Sequence, residues 1–390
     1  MLEEFRVDNY KSLINIVFRP REINLLLGLN NSGKTNLCQA MWFVSQTSSR
    51  ALDDCADNIA EGRMGIANFF FQKPTVDFFI KSTVPFGDVN LLFEYSLTIS
   101  VPVKPFPERE LEVESEKLVV TGEKFDNVAL LNNNRETNRI LDETAYLKGV
   151  KKHETMVAPR DATMLSRLYD INANARAICF KNYLKDWQYY SLSPEQLKSP
   201  NHKPNEMKLN ADGSNLASVI YNLKMRNERE YRRLLPHLQE LDASIDLINF
   251  QVGSPSKVFM YFEDKQGHSL PAHAASNGTL RFLGLIYLFL VQPSLGGHPF
   301  IVVEEPENCI YVGFLKGLIE LASQGGSQAQ MIFTSHSPYF IDLFDNRLDS
   351  VFILKRGDQH STLHQHDVEK VRARLKQFSL GDQHFREMLG

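Results

Sequence analysis

The run Gly28-Leu29-Asn30-Asn31-Ser32-Gly33-Lys34-Thr35 satisfies the pattern G-x-x-x-x-G-K-[ST], which leaves a chain few folds to choose from. Just before it, Ile23-Asn24-Leu25-Leu26-Leu27 reads as a buried strand, and Asn36 to Gln46 carries apolar residues at helical spacing. A strand, a glycine-rich turn and a helix in that order aim several backbone N–H groups and the positive end of a helix dipole at one point. Asn30, Asn31, Ser32, Gly33, Lys34, Thr35 and Asn36 are therefore the candidate phosphate-binding positions. Lys34 is placed to reach β/γ-phosphates, and the Thr35 hydroxyl to hold Mg²⁺. The expectation is a nucleoside triphosphate site.

The chain is long enough to support it. Its 390 residues suggest about two to three domains. With 43% hydrophobic and 23% charged residues it has the make-up of an ordinary globular protein. A net charge of −4 argues against a surface coated for nucleic acid, while leaving room for a local basic groove. Cys38, Cys55, Cys179 and Cys309 form no C-x-x-C pair, so neither a zinc site nor a disulfide framework is indicated, and a reducing cytosol is expected. The opening MLEEFRVDNYKSL has no apolar core of the signal-peptide kind. The strongest apolar stretch, Leu280 to Val291, is too short to span a bilayer. No membrane partner is expected.

Along the chain, strands are expected at Glu3–Asn9, Asn15–Arg19 and Ile23–Leu27. Residues 69–121 alternate and are rich in β-branched side chains, which predicts an antiparallel sheet broken at Pro102, Pro105 and Pro107. The Asn-rich stretch 131–143 reads as a hairpin tip or surface loop, and 155–242 as mostly helical with an interruption at 194–205. Strand and helix then alternate: strands at 247–252, 257–263, 299–303, 330–334 and 350–354, helices at 277–291, 311–323, 338–344 and 367–377. The fold class is α/β, with the chemistry contributed from both ends of the chain and an insertion between them.

Phe300-Ile301-Val302-Val303-Glu304-Glu305 is an apolar strand ending in two acids. Glu304 is the candidate Mg²⁺ ligand, acting through water, and Glu305 the candidate base that orients and deprotonates the attacking water. A second buried strand, Gln330–Thr334, runs into Ser335-His336-Ser337-Pro338, and His336 is placed to bond a γ-phosphate or the water. Ser276-Asn277-Gly278-Thr279 opens an apolar helix with a capping serine and a glycine suited to close approach. Ser276 and Gly278 form a second anion-ready terminus, suited to a nucleotide held by another copy of the chain, although the local sequence by itself favours an ordinary helix cap.

The ordered set GLNNSGKTNL, DGSNLASVI (212–220), SNGTLRFLGLIYLF (276–289), FIVVEEPEN (300–308) and TSHSP (334–338) closely resembles the ABC-type ATPases of the SMC/RecF/OLD group. It is most similar to the short OLD-like bacterial members without a Toprim domain. The likeness covers roughly 1–100 and 205–345, and DNYKSL near the start fits it too. It implies an ABC-type ATPase head of two lobes with a mixed sheet. Residues 1–100 would form the N-terminal lobe, 101–242 a β-rich and helical arm, and 243–390 the C-terminal lobe. It further implies ATP and Mg²⁺, and a dimer sandwiching ATP in which Ser276 and Gly278 complete the site in trans. Glu305 would be the base and His336 the switch histidine. Glu304 stands where many ABC proteins have Asp, and Cys309-Ile310-Tyr311-Val312 departs from the Gly-Leu-His-Pro of relatives. Gln72 and Lys11 are the nearest candidates for a glutamine loop and an extra phosphate contact.

The gap between phosphate loop and signature has no sustained heptads, which excludes a long coiled-coil arm of the SMC type. The stretch after His336 (337–390) is too short for a Toprim nuclease. No guanine-reading N-K-x-D is present, and the resemblance implies ATP rather than GTP. Lys224, Arg226, Arg229, Arg232 and Arg233 form a basic helical patch interleaved with acids, read here as a solvated face with nucleic acid as the alternative. His360, His364, His366 and Asp367 lack the further ligands a metal site needs. The resemblance implies a sensor or regulator of an antiphage or toxin-like system, paired with a separate nuclease or toxin. The alternatives are a RecF-like DNA-repair clamp and an ATP-dependent scaffold with little turnover.

Overall fold

The computed structural model describes residues 1–60, 62–71, 73–102, 110–134, 137–155, 160–202, 207–253, 257–295, 300–326, 329–375 and 377–386. Gln72, Pro105 and Pro107 lie outside them. The chain divides into two compact units whose segments interleave. The first is Met1–Arg21, Leu27–Trp187 and Phe352–Gln365; the second is Glu22–Leu26, Gln188–Val351 and His366–Gly390.

The first unit is built on an eight-stranded antiparallel sheet. Leu2–Asp8 pairs with Ile16–Phe18 on one side and Thr75–Phe86 on the other, and Val89–Ser100, Glu112–Gly122, Phe125–Asn133, Asn138–Leu141 and His153–Thr155 follow in order. Thr75–Phe86 alternates half-buried and buried residues, as a sheet with one packed face requires. The helix Lys34–Gln46 turns Leu37, Ala40, Met41, Phe43 and Val44 inward. Phe43 stacks on Phe78 at 5.8 Å. Within the Asn-rich stretch 131–143, the strands Phe125–Asn133 and Asn138–Leu141 pair antiparallel, in keeping with the hairpin reading.

The second unit holds a parallel layer in the order Gln188–Tyr190, Phe300–Glu304, Gln330–Thr334 and Ile23–Leu27. Every residue of Gln330–Thr334 is buried, as expected of a parallel strand covered on both faces. An antiparallel group, Asn201–His202, Ile245–Gly253, Lys257–Asp264 and Ser269–Pro271, lies alongside helices Leu216–Arg226 and Glu228–Leu241.

Two readings need correction. The stretch 155–242 is not helical throughout: Gln188–Tyr190 is the outer strand of the parallel layer, and the expected interruption at 194–205 contains the short helix Pro194–Lys198. The helix expected over 277–291 is α-helical only to Ile286 and continues as a π-helix over Tyr287–Val291. Among the described residues, no helix is long and apolar enough to cross a membrane.

Candidate nucleotide site

The phosphate loop is shaped by backbone that only small residues tolerate. Asn31 has φ 64° and Gly33 φ 103°. A Cβ on Gly33 would lie 2.7 Å from Ser361 Oγ and 2.9 Å from Ser12 Oγ, so a glycine is required on both counts. Ser12 is the hub beneath the loop: its Oγ accepts Asn36 Nδ2 and Ser361 Oγ, each at 2.8 Å. Helix Lys34–Gln46 starts at Gly33 with no side-chain cap, leaving its first N–H groups for an incoming anion. Lys34 is buried and donates to the carbonyls of Gly28 at 2.8 Å and Leu29 at 3.2 Å. Thr35 is exposed. Lys11, in a left-handed turn with φ 48°, donates to Gln39 Oε1 at 2.6 Å.

In the second unit the strand ends are level. Leu26 stands opposite Thr334, and Thr334 opposite Glu304. Gly28, where the loop begins, follows Leu26 by two residues. Glu304 receives the Tyr189 hydroxyl on Oε2 at 2.7 Å, while its Oε1 is buried with no hydrogen-bond partner. Glu305 departs from the strand with φ 44°, its N–H directed to Thr334 O at 3.1 Å. Its two carboxylate oxygens are differently placed. Oε2 accepts Asn308 Nδ2 at 2.5 Å, and Oε1 lies 3.8 Å from His336 Nε2.

Ser276 caps the helix Asn277–Ile286, its Oγ accepting the Thr279 N–H at 3.0 Å. It remains exposed. Gly278 is required by close approach, since a Cβ there would sit 2.6 Å from the Cys309 carbonyl. One turn on, the buried Arg281 donates to the carbonyls of Glu304 at 3.2 Å and Glu305 at 2.7 Å, and to Leu192 O at 2.5 Å. Burial holds its guanidinium below the ordinary arginine value, against the opposing pull of Cys309, Glu307 and Glu305. Glu307 accepts from Ser335 Oγ and from the His336 N–H, and burial pushes its carboxyl up.

Sequence reasoning missed Tyr189, Arg281 and Glu307. Arg281 and Glu307 lie inside quoted motifs, where polar residues amid apolar runs were the available signal. Tyr189 had none. Of the basic patch, Lys224 is bonded to Ile248 O at 2.9 Å, Arg232 to Glu228 and Arg233 to Glu230, both at 2.6 Å. Among the described residues, no group of three or more His, Cys, Asp or Glu could hold a metal ion.

The chain is 20% identical over 377 residues to a Helicobacter pylori protein named "ATP/GTP phosphatase", covering 92% of this chain and 94% of that one. Its fold matches the crystal structure of an Smc head bound to the C-winged helix domain of ScpA. The TM-score is 0.58 at 13% identity, over 95% of this chain and 99% of the other. A second Smc head, with an extended coiled coil and bound to a ScpA domain derived from Pyrococcus furiosus, gives a TM-score of 0.50 at 11% identity, over 96% and 98%. The fold is thus that of an SMC-like, ABC-type P-loop ATPase head. Residues 23–342 match the family described as "AAA domain, putative AbiEii toxin, Type IV TA system", and the chain belongs to that family.

Proposed function

We propose that this protein binds and hydrolyses ATP, and that two copies close around the nucleotide. One observation supports this above all: the strand that ends in Glu304 and the strand that ends two residues before His336 finish level with Ile23–Leu27, and the phosphate loop starts at the next residue, Gly28. Residues Asn30 to Asn36 cradle the phosphates, with Lys34 exchanging its two carbonyl bonds for phosphate oxygens. Thr35 and Glu304 would hold Mg²⁺, and the buried Oε1 of Glu304, which accepts no hydrogen bond, suits that role. When bound, that ion neutralises charge on the phosphates. Glu305 Oε1 takes a proton from the attacking water while Asn308 and Arg281 fix its carboxylate and backbone. His336 meets the γ-phosphate. Ser276 and Gly278 serve the partner copy's nucleotide.

Lys34→Ala is expected to abolish ATP binding in calorimetry; unchanged affinity would remove the phosphate-loop assignment. Glu305→Gln is expected to slow turnover by roughly 10²–10⁴-fold while ATP-bound dimers persist in size-exclusion chromatography. Normal turnover in that variant places the base elsewhere. GTP belongs in the same assays, because the named relative carries both nucleotides in its name.

For biology, we propose a sensor or regulator subunit of a bacterial defence or toxin-like system, with residues 101–242 as the output surface toward a separate effector. The family description, which names a toxin system, supports this. Deleting the gene should change phage sensitivity. No change, together with no effector captured by the ATP-locked Glu305→Gln variant, would count against it.

A further inference from the structure

Glu307 is an acid that the proposed chemistry leaves unused, yet it is hydrogen-bonded to the residues that follow the strand Gln330–Thr334. The turn after Glu304 and the end of Gln330–Thr334 are joined step by step. Glu305 N–H reaches Thr334 O, and Glu307 Oε1 then accepts both Ser335 Oγ and, at 3.4 Å, the His336 N–H. Ser335 Oγ in turn accepts the Ser337 N–H at 3.0 Å. Three consecutive residues, 335 to 337, are thus held by one carboxylate, directly or through one hydroxyl. The turn that carries Glu307 is itself closed by Asn308 N–H to Glu305 O at 3.1 Å and Ile310 N–H to Glu307 O at 3.0 Å.

An ordinary helix cap does not account for this. The helix that follows, Pro338–Asp342, has Ser337 at its cap, and Glu307 reaches residues upstream of it. What the clamp does fix is the backbone from which the His336 ring extends to within 3.8 Å of Glu305 Oε1.

We infer that Glu307 is a positioning residue for the hydrolysis reaction, holding residues 335–337 so that His336 and Glu305 face the same phosphate. The inference rests on the proposed role of His336. It places the cost of losing Glu307 in the chemical step, because nucleotide binding belongs to the phosphate loop. A reacting group displaced by about 1 Å can cost on the order of 10²-fold.

The test is a cycle of Glu307→Ala, His336→Ala and the double variant in the full-length protein, following steady-state ATP hydrolysis. Glu307→Ala is expected to lower kcat at least about tenfold with the KM for ATP within about twofold. The double variant is expected to be no slower than His336→Ala alone, since two residues acting through one group do not add. Unchanged kcat in Glu307→Ala, or costs that multiply in the double variant, overturns the inference. Should Glu307→Ala fail to fold, two variants stand in for it. Glu307→Gln keeps the accepting oxygen and should keep most of the activity. Ser335→Ala removes a donor and should lower kcat only where His336 is present; an equal loss without His336 overturns the inference. If His336→Ala itself leaves kcat unchanged, the histidine's role and the clamp fall together. If His336→Ala slows turnover while Glu307→Ala and Ser335→Ala do not, the clamp alone falls.

Discussion

Strands Thr75–Phe86 and Gln330–Thr334 make opposite use of burial. In the first, Val76, Phe78, Ile80, Ser82 and Val84 point into the packed face and the residues between them remain partly in water. In the second, all five residues are buried. A strand packed on one face carries polar side chains along its whole length; a strand packed on both can offer chemistry only where it ends. Glu304, Glu305 and His336 all stand at such ends or just past them, whereas the antiparallel sheet carries its polar residues along its edges and faces.

Three changes probe that contrast. The largest effect is expected from the fully covered strand. Phe333 packs against Phe289 at 5.6 Å and Phe340 at 5.8 Å, and Phe333→Ala should cost about 3–5 kcal/mol in denaturant unfolding. A loss below about 1 kcal/mol would break the comparison. Next comes an exception in the antiparallel sheet. Glu116, on Glu112–Gly122, is buried and accepts the Tyr95 hydroxyl at 2.9 Å and the N–H groups of Met164 at 2.6 Å and Leu165 at 3.1 Å. Burial pushes its carboxyl up to about 7, and those three hydrogen bonds oppose the push. Between its ordinary 4.5 and about 7 the folded protein holds a proton that the unfolded chain has released. Stability therefore falls as pH rises through that window, by about 3 kcal/mol at about 1.4 kcal/mol per pH unit. Glu116→Gln should flatten that slope, and parallel pH profiles for the two proteins would show that the carboxyl is not the cause. The smallest effect belongs to the open face. Lys81 reaches the cross-strand Glu94 at 3.3 Å with both side chains partly in solvent, so Lys81→Ala should cost less than about 1 kcal/mol. A larger loss would mean that this face is not as open as the alternation indicates.

The same contrast explains what could be read from the chain beforehand. The phosphate loop is contiguous, and its turn, glycines and following helix are all local signals. Phe300–Glu304 and Gln330–Thr334 could be read as continuous apolar runs, correct to within a residue. Gln188–Tyr190 could not, because three residues are too few to show a period and the neighbouring residues read as helix. Its partner strand lies more than a hundred residues away, and so does the acid that Tyr189 serves. The support beneath the loop was equally hidden, since Ser12 and Ser361 meet across nearly the whole chain. Local chemistry marks where a phosphate would bind. The polar groups that hold the acids and the histidine in place are set by tertiary contacts between distant residues.

Arg281 carries a mechanical implication of its own. Five residues separate it from Ser276, a rise of about 7–8 Å along the helix, and its guanidinium grips the peptide oxygens of both acids. The helix that Ser276 opens is thus tied through one buried side chain to the backbone on which both acids stand.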